Sequence, residues 1–164
     1  MKLERSIKQI IIHCSDTPNG RWTSVDDIDR WHKERKFRRA SKWRKKQNSL
    51  LGHIGYHFVV YTNGAVPTGR HINEVGAHAK GFNANSLGIC LIGRDKFSRD
   101  QWLSLKSIVS GLRQHLQRFN VQVIGHRDVN EHKTCPNFDV AAWLENGMQP
   151  IEDQLYQPNE GNKS

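Results

Sequence analysis

The chain has 164 residues, 36% hydrophobic and 25% charged, with a formal net charge of +9 and three cysteines. That size fits one domain with one core, and the apolar content, five tryptophans included, is enough to fold without disulfide support. An odd cysteine count with two of the three inside apolar runs excludes a disulfide framework, and no internal repeat points to a solenoid.

The opening run, MKLERSIKQIIIHCS, is interrupted by Glu4 and Gln9 and ends on a histidine. It fits neither a signal peptide nor a membrane span, so a protein made in the cytoplasm is expected. Within it, IKQIIIHCS reads as a buried strand, with Ile11, His13 and Ser15 on one face and Ile12 and Cys14 on the other. His13 then stands at the strand's C-terminal end, where sheet-based sites gather. TSVDDIDRWHKER follows as an amphipathic helix, with a cap at Thr23 or Ser24 and apolar positions at Val25, Ile28 and Trp31 or His32.

Between Lys33 and Lys46 lie nine basic residues and one acid, so this stretch carries +8 of the formal charge. It has no clean period, and residues 37–54 are read as a basic insertion whose charge suits an anionic partner. GYHFVVYTNGAVPTGR predicts a β-hairpin turning at Asn63-Gly64 in a type I′ turn, with Tyr56, Phe58 and Val60 facing one way and His57, Val59 and Tyr61 the other. LGICLIG is a further buried strand, and Cys14 and Cys90 are expected as inert buried thiols. Ser98 and Gln101 have capping-box spacing ahead of a long helix to Phe119, VQVIG is a short strand, and FDVAAWLEN a short helix. Interleaved strands and helices, with strands apolar on both faces, predict an α/β fold over residues 1–146, followed by a loosely held polar tail over 147–164.

The chemistry concentrates in GHRDVNEHKTCP, Gly125 to Pro136. His126 and Cys135 are good zinc ligands, and a catalytic site needs a third protein ligand and an open position. Their spacing fits no zinc finger; His13 is the best-placed third ligand. A Cys–His thiol hydrolase built on Cys135 is the rival reading, although Pro136 follows it and no helix N-terminus is there to activate the thiol. A merely polar loop is the third.

Five pieces in order, IIIHCSDT, RWHKER, GYHFVVYTNGAVPTGR, GAHAKGFNANSLGICLIG and GHRDV with KTCPNFDV, resemble the zinc-dependent N-acetylmuramoyl-L-alanine amidase family of phage T7 lysozyme and the peptidoglycan recognition proteins. The resemblance implies a central mixed β-sheet flanked by helices, with a zinc ion held in a surface groove by His13, His126 and Cys135. It carries Tyr56 and Lys133 over as catalytic residues, and the presence of Cys135 argues for an enzyme. His78 and Asn83 fall in the loop that borders the family's substrate groove and are expected to bind substrate; Asn85 is a weaker candidate. His57 is expected to be structural, and His132 is the rival of His126 as ligand. The implied reaction is hydrolysis of the amide joining N-acetylmuramic acid to L-alanine of the peptidoglycan stem peptide, by a monomeric phage or prophage endolysin that reaches the wall after release. The basic insertion departs from the family pattern and suits an anionic envelope polymer. The alternatives from another class are a peptidoglycan receptor without turnover and a basic partner-binding module.

Overall fold

A computed structural model of the chain describes residues 2–158. Four strands, β1 (Gln9–Cys14), β2 (Phe58–Val60), β3 (Ser86–Leu91) and β4 (Gln122–Gly125), form one sheet in the order β2-β3-β1-β4. All three strand pairs are parallel; the antiparallel component of the mixed sheet is the arm that bridges Phe58 to Thr68. A parallel sheet must be covered on both faces because its connections cross over them, which is why Ile10, Ile11, Ile12, Leu87, Ile89 and Leu91 are all fully buried. Each such side chain contributes about 1.5–3 kcal/mol relative to exposure.

The alternation predicted for β1 separates two cores. Ile10, Ile12 and Cys14 face the larger one, built with Trp102, Leu105 and Val109 of α3 (Arg99–His115) and Val140 and Trp143 of α4 (Val140–Glu145). The opposite face of the sheet carries Cys90, Ile92 and Val59 against Ile28 of α1 (Val25–Glu34), Leu51 and Ile54. Both predicted helix starts form full capping boxes, Ser24 with Asp27 and Ser98 with Gln101, so orphan N–H groups at each terminus are satisfied locally.

Several features differ from the sequence expectation. The Asn63-Gly64 turn is a three-residue loop: Tyr61 N–H donates to Ala65 O, and Gly64 is left-handed at φ +84° while Asn63 is not, so the type I′ pair does not form. Tyr56 packs with Val59 and Tyr61, not with Phe58 and Val60, because regular pleating begins only at Phe58. The tail is held over much of its length: Leu155 is buried and bridges Phe97, and Tyr156 N–H donates to Phe97 O. Residues 159–164 lie outside the described residues.

The basic insertion is ordered. It contains α2 (Ser41–Lys46) and is fastened by Arg39, whose buried guanidinium is bidentate to Glu74 at 2.9 and 3.0 Å and also donates to Gln47 O, Asn48 O and Leu51 O. Asn48 Nδ2 donates to Thr68 O and Gly69 O, and Asp29 accepts from His53 and Ile54 N–H. The remaining cations of the stretch, Lys33, Arg35, Lys36, Arg38, Lys42, Arg44, Lys45 and Lys46, are exposed.

Candidate metal centre

The candidate site lies at the C-terminal rim of the sheet. His13 is the fifth residue of β1, and His126 follows directly on β4, which pairs in parallel with β1; register alone brings the two to one end. Their rings lie 4.5 Å apart, centroid to centroid. After a single 3-10 turn at His126–Asp128 the loop folds back, and Arg127 N–H donates to Cys135 O at 2.8 Å. That bond returns Cys135 to the strand ends, where Cys14 N–H donates to its Sγ at 3.1 Å. Asp128 pins the loop's start by accepting from Gly125 N–H at 2.7 Å.

The outcome is a donor set of one nitrogen from each of His13 and His126 and the sulfur of Cys135, all within 4.8 Å of one another. Two imidazoles and one thiol opening on a cavity of about 310 Å³ leave room for a fourth, non-protein ligand, and this set fits a catalytic zinc ion. His132 is exposed at the rim and is not part of this donor group.

Electrostatics suit cation binding. Burial, reinforced by the neighbouring His78 and His126, holds His13 well below the usual histidine range, and burial with the nearby Lys133 lowers His126. Both rings are therefore neutral at physiological pH, with lone pairs free. The hydrogen-bonded Cys14 side chain and burial raise the Cys135 thiol, which a coordinated cation would convert to thiolate. Tyr56, half-buried with its ring 5.1 Å from His13, is raised well above its ordinary value by burial and the adjacent cysteines, so it is a neutral phenol and a donor. Lys133 is exposed and lines the same cavity.

The other expected residues fall nearby with different partners. His78 lines the cavity, but its Nδ1 is 2.8 Å from His13 Nε2. Asn83 uses its Oδ1 to accept from His78 and Ala79 N–H, and also lines a second arm of the groove. His57 is fully buried, accepting from Gly88 N–H at Nδ1 and donating from Nε2 to Glu74 O, so it is structural as expected.

Two groove residues escaped the sequence reading. His32 of α1 accepts from Gly55 N–H at 2.8 Å and packs its ring 5.2 Å from Tyr56, and Arg35 lines both arms of the groove. The signal for His32 was its place four residues after Ile28 on the buried face of α1: an imidazole directed at a core needs a polar partner there.

Known proteins resemble this chain in sequence and fold. The family model for N-acetylmuramoyl-L-alanine amidase matches residues 3–138. The endolysin of Escherichia phage T7 is 34% identical over 162 residues, covering 93% of this chain and 95% of that protein. The solved N-acetylmuramoyl-L-alanine amidase LysC from Clostridium intestinale URNW superposes with a TM-score of 0.68 at 26% identity, over 89% of this chain and 88% of that one. Wild-type Drosophila PGRP-LB shares the fold, with a TM-score of 0.64 at 22% identity over 98% of this chain and 89% of its own.

Proposed function

Because the chain belongs to the N-acetylmuramoyl-L-alanine amidase family, we propose that it hydrolyses the lactyl–L-alanine amide of peptidoglycan with a zinc ion held by His13, His126 and Cys135. It is an endolysin-type peptidoglycan amidase, and its substrate is the bacterial wall. The observation that carries the zinc reading is the convergence of three donor atoms within 4.8 Å at the open rim of the sheet. No helix among the described residues is long and apolar enough to cross a membrane.

Bound there, zinc supplies a Lewis acid for the scissile carbonyl and activates water near neutral pH. The protein's part follows from its own groups. His13 and His126, kept neutral by burial, present lone pairs without having to lose a proton. Lys133 at the cavity edge brings positive charge to the oxyanion that develops as water adds to the carbonyl. Tyr56, as a neutral phenol beside His13, donates a hydrogen bond that orients the attacking water or the oxyanion. The C–N bond then breaks, leaving the lactyl carboxylate on the sugar and a free amino group on L-alanine.

Zinc content and newly freed L-alanine amino termini on purified peptidoglycan, compared between the wild type and Cys135→Ala, test this reading. The variant is expected to lose both together. Full turnover by a zinc-free Cys135→Ala protein would overturn it.

A second surface favours an anionic envelope polymer as an additional partner: eight exposed cations between Lys33 and Lys46, with Glu34 as the only acid among them, on a segment fixed to the body by Arg39. Such a surface raises the local concentration of enzyme on a polyanion without entering the chemistry.

A further inference from the structure

We propose that His78 is a positioning residue for His13, fixing its ring so that Nδ1 is the nitrogen offered to the metal ion. The inference rests on the zinc reading above and deepens it. His13 Nε2 lies 2.8 Å from His78 Nδ1, and His78 Nε2 lies 3.2 Å from Ser86 Oγ. An imidazole that coordinates a cation through one nitrogen keeps its proton on the other, so His13 donates from Nε2 and His78 must accept at Nδ1. His78 then carries its own proton on Nε2 and donates to Ser86. With an ion on His13 Nδ1 this is the proton arrangement that satisfies every atom of the relay.

The surroundings hold the relay in place. A Cβ on Gly88 would meet the His78 ring at 2.7 Å and one on Gly76 would meet it at the same distance, so two glycines shape the slot that the ring occupies. Asn83 Oδ1 accepts from the backbone N–H of both His78 and Ala79 at 2.9 Å, which sets the backbone from which the ring projects. The ring meets His13 edge to face at 84° with centroids 4.9 Å apart. Its polar atoms are thus spent on His13 and Ser86, which replaces the expected substrate contact with a role behind the ligand.

Zinc affinity, measured by competition with a chromophoric chelator, and the visible spectrum of the cobalt-substituted protein test this. Removing such an outer partner weakens metal binding by about 10–100-fold. His78→Phe, which keeps a ring but no acceptor, is expected to show that loss and an altered cobalt spectrum with unchanged far-ultraviolet circular dichroism. His78→Asn, whose Oδ1 takes the place of Nδ1, is expected to recover affinity to within a few-fold, and Ser86→Ala to lose a few-fold. Wild-type affinity and spectrum in a folded His78→Phe protein would overturn the proposal, as would equal losses in the Phe and Asn variants. If His78→Phe does not fold, near-wild-type affinity in His78→Asn together with a few-fold loss in Ser86→Ala supports the relay, and unchanged affinity in Ser86→Ala overturns it. A wild type that binds no zinc would instead refute the metal reading itself.

Discussion

Two polar stretches of this chain meet solvent in opposite ways. Residues 126–135 turn two donor groups inward: His126 and Cys135 point at β1, with burial lowering the first and the hydrogen-bonded Cys14 side chain, with burial, raising the second. Residues 33–46 turn theirs outward, leaving eight cations in water. In each, a residue that runs the other way has a distinct place. Lys133 stays exposed at the cavity edge, while Arg39 is buried against Glu74 and ties the basic segment to the body. Polar residue type alone therefore fixes nothing; what matters is which side chain finds a fixed partner.

The comparison breaks first at Arg39. Arg39→Ala would leave Glu74 buried, with Arg70 at 3.7 Å as its remaining ionic contact, and is expected to cost about 3–5 kcal/mol. The exposed neighbour Arg38→Ala should stay within about 0.5 kcal/mol. Denaturant midpoints decide, and equal effects of the two would show that the segment is not anchored this way.

Acid sharpens the inward half. Burial lowers His57 well below 6.5 and His32 to about 4, so the unfolded chain takes up protons at these sites that the folded chain refuses. Stability is then full above pH 6.5 and falls as pH drops from 6.5 towards 4, by about 1.4 kcal/mol per pH unit for each histidine. A flat unfolding profile between pH 7 and pH 5 would contradict the assignment of these rings as buried and neutral.

The smallest effect on folding, and the cleanest on the outward half, is expected from replacing Lys42, Arg44, Lys45 and Lys46 of α2 together by Gln. Stability should move by no more than about 0.5 kcal/mol per position. Hydrolysis of small soluble muropeptides should be unchanged, while binding to intact walls weakens and loses most of its salt dependence. Unaltered salt response would remove the anionic-polymer partner.

Much of the fold was legible because local and global signals agree. The buried apolar runs of β1 and β3, the 3.6-residue spacing of α3 and the two capping boxes each specify one outcome. The donor set was legible through an ordered resemblance, and His13 also through its place at a strand end. What escaped depends on partners distant in sequence. Arg39 is one cation among nine until Glu74 is beside it. The tail reads as polar until Leu155 meets Phe97. Tyr56 changes face because pleating starts two residues after it, and His78, which does line the groove, also has His13 2.8 Å away, a partner 65 residues distant in the chain.

The backbone bond from Arg127 N–H to Cys135 O closes a ring in the chain that takes no side chain from the residues it encloses. Glu131 and His132 sit exposed at the crown of that ring. The closing bond thus does not depend on the side chains at the crown, so Glu131 and His132 mark the natural place to graft a foreign recognition loop a few residues from the candidate metal centre.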